Sequence, residues 1–258
     1  MVELVEKDAP LEDLDGFCVL CRLVEEPAWR FRTGGGRGYL VEISKAFPQW
    51  ELHLMDLVRF YGGGDCRVAL AADPSDYAAA RAAYAGHSCR DRFLRPGELP
   101  VLTHSTPPES WASIRADGCL KSWNLLRSEG RLREAAPIGA ALGDPAGLRD
   151  YVMLSGTSAA GEIVVLSRQR GALVYDEHAP YRPGVRLYFD AAALAHDGLL
   201  VRDGCHIKIR DRLPLEPYLL WTATGAALCG GDGVSTPAAF SALADRQFAA
   251  FRNAGGKE

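Results

Sequence analysis

The stretch that decides the fold is "PVLTHSTPPESWASIRADG", from Pro100 to Gly118. Its first seven residues predict a strand, and the remainder, which opens on two prolines, predicts a helix. We expect Thr106 to cap this helix, Glu109 to complete a capping box, and Gly118 to end it. His104 then lies at the carboxyl end of a strand, where rigid elements often hold ligand-binding side chains.

Further strands and helices are predicted on both sides of this stretch. Strands are predicted at 38–47, 150–155, 185–190 and 205–209, helices at 50–61, 74–86, 191–196 and 237–251, and a turn followed by a strand or helix at 212–221. Ser75 or Asp76 is expected to cap the helix at 74–86. The charged run 127–134 indicates a solvated helix face whose arginines could touch a phosphate-bearing substrate. The order of elements predicts an α+β protein.

The composition is that of a soluble globular protein. The 258 residues are 48% hydrophobic and 24% charged, which is enough material for one large domain or two smaller ones. No stretch reaches the roughly 18 apolar residues of a membrane helix, and the acidic start "MVELVEKDAPLEDLDG" lacks the apolar core of a signal peptide. We therefore expect a cytoplasmic protein with no membrane partner.

The cysteines do not predict a metal site. There are seven of them, scattered along the chain, and in the absence of an export signal we expect reduced thiols. Cys18 and Cys21 form a CxxC pair, but Cys66 and Cys89 come singly, so the second ligand pair of a structural zinc site is missing.

The charges point towards phosphate, but not towards general nucleic-acid binding. The net charge is −4, without the basic excess of a general nucleic-acid binder. Yet only five of the 29 basic residues are lysines. The planar fork of arginine suits bidentate contacts to phosphate, although coding DNA rich in GC gives the same bias.

Four stretches, in order, resemble motifs of the RNA 2′-phosphotransferase family, a branch of the ADP-ribosyltransferase superfamily. "AGHS" (85–88) resembles its Gln-Gly-His-Ser, and "LTHST" (102–106) resembles its Leu-x-His-Gly-Thr, with Ser105 in place of glycine. "RDYVMLS" (149–155) is similar to its Arg-x-His-Val-His-Leu-Ser, with Tyr151 and Met153 in place of the histidines. The segment 189–219 resembles its C-terminal motifs, so the resemblance covers roughly 85–221.

The resemblance implies an ADP-ribosyltransferase-like split β-sheet core that takes NAD+ as co-substrate. We expect the catalytic domain at 96–229, preceded by an N-terminal α+β accessory region (1–95) and followed by a C-terminal loop and helix (230–258), both of which the residue patterns predict. The catalytic roles it implies fall to His104, Tyr151, Arg149 and Arg202. The NAD+ contacts it implies fall to His87, Ser88, Ser105, Thr106, Ser155 and His206. Imidazole and hydroxyl groups can bind ribose and phosphate without a metal, so no metal is expected. The expected partner is RNA or another phosphorylated nucleic acid.

Each of these residues also has an ordinary structural interpretation. His87 could be a histidine favoured by the dipole at a helix C-terminus. His104 could be a core strand residue bonded to the backbone, and Tyr151 a half-buried strand tyrosine. Arg149 and Arg202 could be plain surface arginines.

Departures from the family leave two other functions open. Residues 1–84 show no winged-helix module of the kind the family carries, and His206 falls where DNA-modifying toxins of the superfamily have a catalytic glutamate. The first alternative is a toxin-like ADP-ribosyltransferase that leaves ADP-ribose on nucleic acid or protein. The second is a non-catalytic module that binds ADP-ribose or RNA ends.

Overall fold

The structure, a computed structural model, divides the chain into two compact units. It describes residues 1–7, 16–26, 30–33, 39–63, 66–87, 92–132, 134, 136–142, 144–156, 158–229 and 233–255. The first unit comprises Met1–Gly97, Gly139–Arg149 and Leu200–Lys208, and the second comprises Glu98–Ile138, Asp150–Leu199 and Ile209–Glu258. Segments 139–149 and 200–208, which the sequence prediction counts in its 96–229 region, therefore cluster with the N-terminal residues.

The described part of the chain mixes helices and strands in several small sheets, as the predicted α+β class requires. The strands are β1 (Val2–Val5), β2 (Val19–Val24), β3 (Arg30–Thr33), β4 (Tyr39–Ser44), β5 (Val68–Ala71), β6 (Val101–Thr106), β7 (Cys119–Lys121), β8 (Tyr151–Leu154), β9 (Val185–Asp190), β10 (Leu200–Arg202), β11 (Ile207–Arg210), β12 (Arg212–Pro214) and β13 (Leu219–Thr224). The helices are α1 (Trp50–Gly62), α2 (Pro74–His87), α3 (Pro108–Asp117), α4 (Trp123–Ser128), α5 (Ala160–Arg170), α6 (Ala191–His196), α7 (Gly225–Leu228) and α8 (Pro237–Asn253).

The first unit is built on a five-stranded sheet in the order β1-β5-β2-β4-β3. Its first four strands run parallel, and only the edge strand β3 is antiparallel to its neighbour. Parallel strands of one sheet need crossover connections, and α1 lies in the connection from β4 to β5, the two strands on either side of β2. Helix α1 buries Leu54 and Leu57 completely against this unit's core, a burial worth about 1.5–3 kcal/mol for each side chain.

The second unit has a three-stranded antiparallel sheet, β13-β9-β6, with β9 at its centre. Five of the six residues of β9 are buried. Helix α8 packs on this sheet through aromatic rings, since Phe248 stacks on Tyr188 with ring centroids 4.4 Å apart and lies 5.9 Å from the ring of Trp221. A separate pair, β7 and β12, is antiparallel.

The main predicted elements are confirmed, but several predicted caps are wrong. Helix α2 begins at Pro74, so Ser75 and Asp76 lie inside its first turn rather than at its cap. The N-cap residue of α3 is Pro107, without a side-chain cap hydrogen bond, so the capping box of Thr106 is also wrong. Thr106 is instead the last residue of β6, where it is buried opposite Val185 of β9. Because Thr106 is part of the strand pairing, the N-cap position of α3 falls one residue later, at Pro107.

One other helix prediction needs correction, and one helix was not predicted. Gly118 ends α3 in the left-handed region at φ 65°, as predicted. The predicted helix face over 127–134 is wrong for most of its length, because α4 ends at Ser128. Helix α5, which the sequence patterns did not predict, lies between β8 and β9. No helix among the described residues is long and apolar enough to cross a membrane.

Candidate functional site

The candidate site forms where β6 and β8 meet in the second unit. Along one side, β6 pairs with β9 over its whole length. On the other side it is bridged to the residue after β8, because Thr103 and Ser155 exchange both backbone hydrogen bonds, at 2.7 and 2.9 Å. The Thr103 hydroxyl also donates to the Gly156 carbonyl at 2.9 Å. This bridge fixes the carboxyl end of β8 against the middle of β6.

His104 is the next residue along β6 and is held by β8. Its Nδ1 lies 3.0 Å from the Met153 carbonyl oxygen, and because a carbonyl only accepts, Nδ1 carries the proton. The other ring nitrogen, Nε2, is then an acceptor. Burial lowers the pKa of His104, and the positive charge of Arg168 lowers it further, against the opposing effect of the Met153 bond. A neutral imidazole of fixed tautomer therefore stands at this strand junction.

Tyr151 and Met153 form the half-exposed face of β8. Side chains along the strand alternate, with Val152 and Leu154 buried and Tyr151 and Met153 partly exposed. The tyrosine ring therefore shares a face of β8 with Met153, the residue whose carbonyl accepts from His104. An aromatic ring on this face could contact a planar, cationic ligand group.

Ser105 is held by a carboxylate that the sequence did not single out as functional. Its hydroxyl donates to Glu162 Oε1 at 2.5 Å, and the Tyr181 hydroxyl donates to Oε2 at 2.7 Å. Glu162 is fully buried in the first turn of α5. Burial raises the pKa of Glu162, although the two hydroxyl donors and nearby Arg186 act in the opposite direction. Ser105 thus has a fixed hydroxyl orientation directly after His104.

Arg186 balances that buried carboxylate. Its side chain is fully buried on β9, 3.7 Å from Glu162 Oε1 and 3.2 Å from Asp245 on α8. It also donates to the Tyr188 hydroxyl at 3.1 Å and to the Ser158 carbonyl at 3.1 Å. A buried guanidinium needs this many acceptors to offset its desolvation. The network ties β6, α5, β9 and α8 together beneath the candidate site.

The structure brings five of the ten predicted site residues together in the second unit. These are His104, Ser105, Thr106, Tyr151 and Ser155, all on β6, on β8 or directly after it. Four others belong to the first unit: His87, Arg149, Arg202 and His206. The last one, Ser88, lies outside the described residues.

In the first unit His206 is part of a charged cluster. Its Nδ1 lies 3.2 Å from Asp203 Oδ2, and Asp203 also accepts from the ammonium of the fully buried Lys208. Burial alone would raise the pKa of Asp203, but the hydrogen bonds and charges of His206 and Lys208 hold it well below its ordinary range. The Lys208 ammonium also lies 3.6 Å above the ring of Phe60. Asp203 therefore orients the imidazole of His206.

Of the remaining first-unit candidates, Arg202 directly precedes Asp203 of that cluster, whereas Arg149 and His87 lie far from it along the chain. Arg202 donates to the Phe93 carbonyl at 3.4 Å, and its charge acts on the buried carboxylate of Asp56. Arg149 lies in a short 3₁₀ turn, Ala146–Asp150, and is partly buried. His87 is the last residue of α2, where a cation or a polarisable ring is favoured by the helix dipole. The phosphate and NAD+ roles of these three stay predictions.

Comparison of the chain with protein-family models, with curated proteins and with solved structures found no match. Among the described residues, no group of three or more histidine, cysteine, aspartate or glutamate side chains is arranged to hold a metal ion.

Proposed function

We propose that the chain is an NAD+-dependent transferase of the ADP-ribosyl type, with its reacting groups at the junction of β6 and β8. The observation that supports it best is His104, a neutral imidazole whose Nδ1 is committed to the Met153 carbonyl. Its Nε2 can then accept a hydrogen bond from a ribose hydroxyl, which would orient the sugar of a bound dinucleotide. The sequence resemblance to RNA 2′-phosphotransferases points to the same residue.

The neighbouring side chains fit the rest of such a ligand. The Ser105 hydroxyl, which donates to Glu162, keeps its lone pairs for an incoming donor. Tyr151 offers an aromatic face to the nicotinamide ring, which is cationic before it leaves. NAD+ supplies a ribose carbon that becomes electrophilic as nicotinamide departs. The protein's contribution is therefore to position groups and to stabilise charge.

By resemblance, the acceptor is an internal RNA 2′-phosphate. In the first step a phosphate oxygen forms the bond to the ribose carbon while the bond to nicotinamide breaks. In the second step a hydroxyl of the ADP-ribose forms a bond to phosphorus while the bond from phosphorus to the RNA O2′ breaks, and the proton of that hydroxyl passes to O2′, which leaves a cyclic phosphate on ADP-ribose and a 2′-hydroxyl on the RNA. A persistent ADP-ribose adduct would instead indicate the toxin-like transferase. Binding without nicotinamide release would indicate the non-catalytic module.

The test is incubation with NAD+ and an RNA bearing one internal 2′-phosphate, followed by nicotinamide quantification and mass spectrometry of the RNA. We expect nicotinamide release and loss of the 2′-phosphate. His104→Ala should abolish both while costing only about 1 kcal/mol of stability, because the imidazole is partly exposed. Arg246→Gln, an exposed position on α8, serves as the control. If the parent protein releases no nicotinamide, the proposal is wrong.

Lysine variants test the phosphate roles predicted for Arg149 and Arg202. Lysine keeps the charge but loses the bidentate fork, so each replacement should lower turnover about 10- to 100-fold. Turnover equal to that of the parent in both variants would show that these two arginines do not hold phosphates.

A further inference from the structure

A depression on the second unit lies beside the end of α5. Its volume is about 350 Å³, and its lining residues are Gln169, Arg170, Pro180, Tyr181, Arg182 and Val234. Two of these six are arginines with exposed side chains.

The backbone beneath the two arginines is fixed by hydrogen bonds. The Gln169 amide contacts residue 182 twice, because its Nε2 donates to the Arg182 carbonyl at 2.6 Å and its Oε1 accepts from the Arg182 N–H at 3.2 Å. Arg170 donates to the Pro180 carbonyl at 3.0 Å. Tyr181 and Ser235 exchange both backbone hydrogen bonds, at 2.9 and 3.0 Å. The lining is therefore a preorganised surface.

Among the residues that the structure describes, which leave out 230–232 next to the lining residue Val234, no carboxylate forms an ion pair with Arg170 or Arg182. Two guanidinium groups on a concave surface can offer a phosphate group the bidentate contacts that it takes from arginine. This depression therefore carries two positive charges although the net charge of the whole chain is −4.

The depression is connected to the candidate site by side chains rather than by mere proximity in sequence. Tyr181 lines the depression, and its hydroxyl donates to Glu162, whose other oxygen accepts from Ser105 beside His104. Arg168, two residues before Arg170 on α5, pairs with Glu134 at 3.4 Å, so the positive charge that no described carboxylate pairs with is that of Arg170 and Arg182.

We propose that this depression binds a backbone phosphate of a single-stranded nucleic-acid acceptor. The inference rests on the proposed function, which it deepens by giving the acceptor a docking point away from the reacting nucleotide. Arg170 and Arg182 hold the phosphate. Nucleic acid is favoured over a free nucleotide because it carries one charge per nucleotide, so one phosphate can dock at the depression while another part of the same strand reaches His104.

The experiment measures binding of a 5′-fluorescein 12-nucleotide RNA by fluorescence anisotropy, without NAD+. The variant Arg170→Gln/Arg182→Gln should raise the dissociation constant at least tenfold. It should also flatten the dependence of log affinity on log salt by about 0.7, as expected when one phosphate of a single strand is no longer neutralised. The matched control is Arg246→Gln/Arg252→Gln, which removes the same charge from exposed positions of α8 and should change affinity less than twofold.

The outcomes separate this inference from the proposed function. Equal RNA affinity in the parent and the Arg170→Gln/Arg182→Gln variant overturns it, as does an equal loss in the α8 control. Competition by inorganic phosphate at the same concentration as the unlabelled RNA overturns the nucleic-acid assignment in favour of a small-anion site. RNA binding that depends on Arg170 and Arg182 supports the inference, even if the parent releases no nicotinamide from NAD+ and only the proposed function fails. The double lysine variant should bind with intermediate affinity, because it keeps the charge but loses the fork.

Discussion

Replacing Arg186 with methionine tests the network beneath the candidate site. The guanidinium is fully buried and is the cation that faces both Glu162 and Asp245. Methionine fills much of the same volume but carries no charge. Glu162, itself fully buried, then keeps only the hydroxyl donors Ser105 and Tyr181. An uncompensated buried carboxylate is the expected result.

The cost follows from the burial of both partners. Removing one partner of a buried ion pair destabilises a protein by about 3–5 kcal/mol. With a urea m-value of about 2 kcal/mol/M, the unfolding midpoint of the second unit should fall by about 1.5–2.5 M. Arg186→Met/Glu162→Gln should recover at least about 1 kcal/mol of this loss, because the neutral amide needs no counter-charge and still bonds to the two hydroxyls.

The assay is urea unfolding followed by circular dichroism, with hydrogen-exchange mass spectrometry on β9 to assign the transition to the second unit. Arg246→Met, an exposed position on α8, is the matched control and should stay within about 0.5 kcal/mol of the parent. A loss below about 1 kcal/mol for Arg186→Met would refute the reasoning. So would a double variant whose loss equals the sum of the two single losses, since the pair would then be uncoupled.

Three further changes test other parts of the fold. Asp203→Asn should cost about 3 kcal/mol at pH 7, because it leaves the ammonium of Lys208 buried without its carboxylate. This difference should shrink below about pH 4 in pH-dependent urea titrations, because a depressed carboxyl pKa stabilises the folded state above the ordinary pKa and that gain is lost as the pH falls. Gly184→Ala should lower the thermal midpoint strongly, since its Cβ would lie 1.9 Å from a main-chain carbonyl oxygen of β6, whereas Gly86→Ala meets no atom within 4 Å and should not. Thr236→Ala removes the side-chain cap of α8 and should lower the free energy of unfolding by about 1 kcal/mol in scanning calorimetry. No measurable loss would show that this cap is dispensable.

Elements with a strong local pattern could be predicted from the sequence. The apolar spacing of α1 and the strand-proline-helix order at β6 and α3 both appear at the expected residues. Strands β1, β2 and β5 were missed because short apolar runs such as "VALA" in a buried parallel sheet show no alternation. Capping residues were misassigned where tertiary pairing outweighed a local preference, as at Thr106.

The contacts of the candidate site were harder to predict from the sequence than the helices and strands. His104 could be chosen from its place at the end of a strand, but its bond to the Met153 carbonyl depends on a bridge between residues 52 positions apart. Glu162 and Arg186 carry no signal in the sequence, because a charged residue in a strand or in a helical first turn is normally solvated. Their partnership exists only once α5 and β9 pack together, so no reading of local pattern could have found it.

The packing of α8 has a consequence for the order in which the second unit can form. Arg186 on β9 forms an ion pair with Asp245 of α8, and Phe248 of α8 stacks on the ring of Tyr188. Both contacts of β9 therefore depend on the last helix that the structure describes. Strands β6 and β9 are made much earlier in synthesis. Until α8 has been synthesised, Arg186 on β9 lacks one of its two carboxylate partners, and the ring of Tyr188 is exposed to water. We therefore expect the second unit to fold only after α8 has emerged from the ribosome. While α8 is still being synthesised, β6 and β9 are most accessible to chaperones and proteases.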